Sequence, residues 1–73
     1  MQILDVSGQA CPLPLLKTKQ SLISLQKGDI LQVIASDPGS NRDIPLFLQR
    51  GTHQLQKQWQ EQGLYYFQII VGA

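Results

Sequence analysis

The chain has 73 residues, 42% of them hydrophobic, which is enough apolar material for one small two-layer core and too little length to enclose a substrate cavity. Six Lys/Arg stand against five Asp/Glu with no run of one sign, which argues against the basic stripe of a nucleic-acid binder. A single cysteine excludes an internal disulfide and points to a reducing cytoplasm, no basic-then-apolar leader is visible, and no apolar run approaches the ~20 residues of a membrane span.

Gln2 to Val6 is a short apolar run closed by the turn signal Ser7-Gly8, and it predicts a first strand. From Pro14 to about Gln26, the residues Leu15, Leu16, Leu22, Ile23 and Leu25 recur at a spacing that suits one helical face. Lys17, Lys19 and Gln20 take the wet side, and Gly28 is free to adopt a left-handed cap. Asp29 to Ala35 predicts a second strand, in which Leu31, Val33 and Ala35 alternate with Ile30, Gln32 and Ile34.

The polar stretch Ser36 to Asn41 is dense in turn formers. A second, shorter helix is expected to begin between Asn41 and Pro45, to carry Leu46, Phe47 and Leu48, and to stop at Gly51. Pro45 is expected in its first turn, where a missing N–H is tolerated. His53 to Gln62 alternates Leu55, Lys57 and Trp59 against Gln54, Gln56, Gln58 and Gln60. After a Gln62-Gly63 turn, Leu64 to Val71 returns with Tyr65, Phe67, Ile69 and Val71 on one face, which predicts an antiparallel hairpin. The expected fold is a single α/β (α+β) domain over residues 1–73, a β-α-β-α-β-β two-layer sandwich. Two helices cover one face of a four-stranded mixed sheet, and a right-handed crossover sets the first two strands parallel.

Cys11-Pro12-Leu13-Pro14 connects the first strand to the first helix. Either Pro12 is the first helical residue, or Cys11 to Leu13 is an extended arm leading to Pro14. In both cases Cys11 lies within about one turn of the helix N-terminus, whose positive end favours an anion. A thiol there is expected to be acidified, and its thiolate is a nucleophile. The competing reading of a free cysteine is a small buried hydrophobe. If the first two strands are parallel neighbours, the loop after the second emerges at the same rim and brings Asp37, Ser40, Asn41, Arg42 and Asp43. Arg42 then either stabilises an anion at Cys11 or faces water, and Asn41 or Asp43 is expected to cap the second helix. His53 reads as a half-exposed strand residue rather than a partner of the cysteine. One cysteine and one histidine make no metal site. Trp59, Tyr65 and Phe67 alternate as core positions rather than as an RNA-stacking platform.

Taken together, Cys11-Pro12-Leu13-Pro14 after a short strand, Gly28-Asp29, Ala35-Ser36-Asp37-Pro38 and Arg42-Asp43-Ile44-Pro45 resemble the TusA/SirA-like family over about Leu4 to Val71. The resemblance implies a sandwich similar in shape to the C-terminal domain of a bacterial translation initiation factor. It also implies that Cys11 carries a persulfide, received from a cysteine desulfurase or another sulfur donor and passed to an acceptor protein thiol. Branches of the family lead to 2-thiouridine in tRNA, to sulfur oxidation, to molybdenum cofactor supply and to selenium metabolism. The expected site is Cys11 as the reacting residue, with Pro12, Pro14, Arg42 and Asp43 as substrate or partner contacts. No cofactor, metal, membrane or direct nucleic-acid contact is expected.

Leu13 and Ser36 stand where the family often has acidic residues, and the hairpin is glutamine-rich, so the charged rim that selects partners differs here. The absence of a second cysteine argues against a thioredoxin-like Cys-x-x-Cys reductase. Two other readings remain at this stage: a thiol-based redox regulator acting through mixed disulfides, and an adaptor or RNA-associated binding module.

Overall fold

Alternation along the central strands decides where the core lies. In the computed structural model, which describes residues 1–72, six elements follow one another. They are β1 (Gln2–Asp5), α1 (Leu13–Ser24), β2 (Ile30–Ala35), α2 (Ser40–Gln49), β3 (Gln54–Glu61) and β4 (Leu64–Ile70). The strands lie in the order β1-β2-β4-β3, with β1 parallel to β2 and the other neighbours antiparallel. Leu31, Val33 and Ala35 of β2 share one face with Phe67 and Ile69 of β4, and all five are fully buried. Ile44 and Leu48 of α2, Leu22 of α1, and Val6 and Val71 just beyond strand ends complete the core. Each fully buried Val, Leu, Ile or Phe side chain among these contributes about 1.5–3 kcal/mol. The β-α-β-α-β-β order and the mixed sheet are those expected.

The face of α1 that meets this core differs from expectation. Pro14, Thr18 and Leu22, four residues apart, are its buried positions, with Leu15 and Leu25 packed alongside. Leu16 is 45% exposed and Ile23 is 84% exposed, so the five apolar residues do not form one buried stripe. Pro14 and Leu22 set the rotation of the helix, and Thr18 fills the position between them. Its hydroxyl donates to the Pro14 carbonyl oxygen at 2.8 Å, which satisfies a polar group in an apolar setting. The helix ends at Leu25 in extended conformation rather than on Gly28. Gly28, with φ 93°, serves the following turn, where its N–H donates to Val71 O at 2.8 Å.

α2 begins at Ser40, earlier than expected, and this carries Pro45 beyond the first turn into the helix interior. The proline ring lacks the N–H that would bond the carbonyl of Asn41, a residue exposed to water. Ile44 and Leu48 then bury one face, while Leu46 is 42% exposed.

The hairpin turn has Gln62 at φ 51° and Gly63 at φ 79°, the pair of positive values that a two-residue turn between twisted strands requires. β3 departs from strict alternation, because its register with β4 shifts between Leu55 and Lys57. Leu55 pairs with Ile69 on the helix-covered face, whereas Lys57 and Trp59 pair with Gln68 and Tyr66 on the opposite one. One extra residue in a strand reverses every later side chain. Trp59 is therefore not a core residue: it stacks on Tyr66 with ring centroids 5.0 Å apart and planes 1° from parallel. Gln58, paired with Phe67 on the helix side of the sheet yet still exposed, donates from Nε2 to Asn41 Oδ1 at 2.9 Å. Tyr65 and Phe67 lie on the core side as expected.

Candidate functional site

Parallel pairing of β1 with β2 delivers the two following loops to one rim. Val6 N–H donates to Ile34 O at 2.8 Å, which continues the β1–β2 ladder one residue into the first loop. Gly8, at φ 83°, then donates its N–H to Ser36 Oγ of the second loop at 2.8 Å. Asp5 fastens the first turn by accepting from the Ser7 hydroxyl at 2.6 Å and the Ser7 N–H at 2.9 Å. Those two bonds hold the Asp5 carboxyl below its ordinary range.

Both expectations for the helix start give way to a third arrangement. The Cys11–Pro12 peptide is cis, Pro12 is the cap residue, and the helix begins at Leu13. Leu13 is helical despite preceding Pro14, with its N–H donating to Ala10 O at 2.9 Å. Pro14 is buried and anchors the helix end to the core, whereas Pro12 is exposed beside Cys11. Cys11 itself is exposed, so it is not a buried hydrophobe.

α2 supplies the charges around the sulfur. Cys11 Sγ donates to Asp43 Oδ2 at 3.6 Å. Arg42 Nε lies 3.5 Å from the other oxygen of the same carboxylate, with the arginine side chain 83% exposed and that of Asp43 only 23%. Asp37 approaches from the loop before α2. A Cβ placed on Gly39 would stand 2.9 Å from Asp37 Oδ2 and 3.7 Å from Cys11 Cβ, so the bare glycine lets this loop, its aspartate and the cysteine pack together. Asp37 Oδ2 and Gln9 Oε1 are enclosed here without a hydrogen-bond donor among the described residues.

The balance of these groups corrects the expected acidity of the thiol. Partial desolvation, the hydrogen bond to Asp43 and the negative charges of Asp43 and Asp37 push the Cys11 thiol above its ordinary value. Arg42 acts in the opposite direction and more weakly. The sulfur lies beside a helix start, but two carboxylates oppose its ionisation. Capping is corrected as well, since Gly39 is the cap residue of α2 and supplies no side-chain hydrogen bond. Asn41 accepts from Gln58, and Asp43 faces the sulfur.

Cys11, Pro12, Arg42 and Asp43 are thus brought to one rim, whereas Pro14, expected as a contact, is buried in the core behind it and His53 lies elsewhere. His53 Nδ1 accepts from Gly72 N–H at 3.1 Å just before β3, at the foot of Phe47. Asp37 joins the site although it is not among the expected contacts. The signal for Asp37 was its position immediately before Pro38-Gly39, a turn that aims it at the helix start. Among the described residues no three His, Cys, Asp or Glu side chains converge as a metal-ligand set, and no helix is long and apolar enough to cross a membrane.

Residues 2–71 match the family described as Sulfurtransferase TusA. The chain is 41% identical over 68 residues to the sulfur carrier protein TusA of Allochromatium vinosum, covering 93% of this chain and 90% of that one. It is 40% identical over 67 residues to the sulfur carrier protein TusA of Pseudomonas aeruginosa, covering 92% and 85%. In three dimensions it matches a SirA-like protein of Desulfitobacterium hafniense with a TM-score of 0.85 over the whole of both chains, at 23% identity, a likeness of fold. On the family match and these identities, the chain belongs to the TusA sulfurtransferase family.

Proposed function

We propose that this protein is a sulfur carrier that holds a persulfide on Cys11, taking the sulfur from a cysteine desulfurase or another donor and passing it to an acceptor protein thiol. The observation that carries the reading is the exposed thiol of the chain's only cysteine, on a rim reachable by a partner. The names of the relatives, sulfur carriers, support the same role. In the loading step the Cys11 thiolate attacks the outer sulfur of a donor persulfide. A new S–S bond forms on Cys11, the donor's own S–S bond breaks, and the donor leaves as a thiolate that takes up the proton Cys11 lost. Unloading reverses the roles, with the acceptor thiolate attacking the outer sulfur. With no second cysteine in the chain, the carrier cannot discharge its sulfur by closing its own disulfide. The outlet, tRNA thiolation or another of the family's branches, is then set by which acceptor docks.

The test is incubation with a cysteine desulfurase and cysteine, followed by intact-mass measurement. The expected result is a gain of one sulfur atom that reductant reverses, and no gain in Cys11→Ser. A wild-type mass left unchanged by several desulfurases, with Cys11 still free to be alkylated, would overturn the reading. Glutathione conjugation in place of sulfur uptake would point instead to a redox regulator.

A further inference from the structure

We propose that Asp37 and Asp43 make Cys11 selective for sulfur donors that bring a positive charge to the rim: in the free carrier they hold the thiol protonated, and a cationic side chain of the docked donor releases it. The inference rests on the reading of Cys11 as the sulfur-accepting residue. Asp43 Oδ2 accepts the thiol proton at 3.6 Å, so ionising Cys11 removes a hydrogen bond and places a second negative charge beside the carboxylate. Asp37 adds to that field, and its enclosed Oδ2 has no donor among the described residues. Among the described residues the cation that acts on the sulfur is Arg42, and its 83% exposure leaves it screened by water. Asp37, Asp43 and Arg42 are the charged groups that act on the sulfur, two negative against one positive.

A donor that presents a lysine or arginine here supplies what the chain lacks. Its charge pairs with the carboxylates, the Sγ–H proton passes to solvent, and the thiolate attacks the outer sulfur of the donor's R–S–SH. The Cys11 S–S bond forms as the donor's breaks, and the departing donor thiolate is reprotonated. No outside oxidant or reductant enters. A small neutral or anionic electrophile brings no such charge and meets a protonated thiol, which spares the carrier from indiscriminate modification. Asp37 and Asp43 are on this view positioning residues that act through the sulfur, and their substitution should relax selectivity rather than abolish reactivity.

The test uses three small disulfides as probes: dicationic cystamine, neutral hydroxyethyl disulfide and dianionic dithiodiglycolate. Exchange with Cys11 is followed by intact mass at low salt, each rate divided by that of 2-mercaptoethanol with the same reagent. Wild type should react about threefold to tenfold faster with the cation than with the neutral probe, and more slowly with the anion. Asp43→Asn and Asp37→Asn should bring the three normalised rates together and lower the pH midpoint of alkylation by neutral iodoacetamide. Asp43→Glu should restore both properties. Equal normalised rates for the three probes in wild type, or unchanged ratios in both folded Asn variants, overturn the proposal. The outcome is separable from that of the carrier reading. Flat probe selectivity with intact sulfur uptake removes only this inference, whereas loss of uptake with charge-ordered probe rates removes the carrier role and leaves the charge selectivity of the thiol without sulfur donors as its purpose.

Discussion

The loop after β1 and the loop after β2 meet at one rim but are built in opposite ways. The first, residues 6–12, holds the thiol, contains no charged residue, and exposes Cys11 and Pro12. The second, residues 36–39, runs directly into α2 through successive turn bonds, with Ser40 N–H on Asp37 O at 3.0 Å and Arg42 N–H on Gly39 O at 3.1 Å. It carries or introduces every charge that acts on the sulfur. The sulfur and its electrostatics therefore come from separate stretches of chain, held in register by the Asp5–Ile34 pairing and the Gly8–Ser36 hydrogen bond. The field at the sulfur can be changed without altering the loop that presents it.

The largest perturbation of this division is expected from Gly39→Ala. The new methyl would stand 2.9 Å from Asp37 Oδ2, so that carboxylate has to shift from its present place. Because the atom it meets is the end of a side chain, the cost in thermal or denaturant unfolding should stay below about 1 kcal/mol, and the main effect is on the field at the sulfur. Because Asp37 raises the thiol pKa, moving it away should lower the pH midpoint of Cys11 alkylation. A midpoint unchanged in the folded variant would show that Asp37 does not act on the sulfur.

Ser36→Ala sharpens the comparison from the other side by removing the side-chain bond between the loops. Its expected cost is about 1 kcal/mol, read from a denaturation midpoint. A neutral result would mean that strand register alone fixes the rim.

The smallest change is expected from Arg42→Ala. With its side chain 83% exposed, stability should shift by no more than a few tenths of a kcal/mol. Since the guanidinium lowers the thiol pKa, its loss should move the alkylation midpoint to higher pH. A midpoint that overlays wild type, combined with slowed sulfur uptake, would assign Arg42 to docking.

How much of this was readable in the sequence depended on whether the governing contact was local. β2 was legible because Leu31, Val33 and Ala35 alternate without interruption, and the two-residue turn at Gln62-Gly63 announced the hairpin. The parallel-strand rule brings Cys11, Arg42 and Asp43 to one rim once β1 and β2 are taken as parallel neighbours. The inner face of α1 was misread because periodic leucines do not fix helix rotation when a proline and a threonine occupy two of the three core positions. Trp59 was misplaced because the register shift after Leu55 leaves no mark in a perfectly alternating string of glutamines. The thiol's acidity was misjudged for a related reason. The helix start is visible in Cys11-Pro12-Leu13-Pro14, but the carboxylate that opposes it lies 32 residues away and turns toward the sulfur only in the fold.

The register shift in β3 also bears on how the molecule avoids its own kind. β3 is an edge strand, and one side of its backbone offers unpaired N–H and C=O groups to any extended chain. An alternating eight-residue strand rich in glutamine is close to the composition that stacks into cross-β fibrils. The extra residue near Gln56 bends that row, and exposed Lys57 follows at once with a charge, so an incoming strand finds no straight ladder to extend. At the other edge β1 is only four residues long. The irregularity that turns Trp59 away from the core thus blunts the sheet against fibril-like self-association.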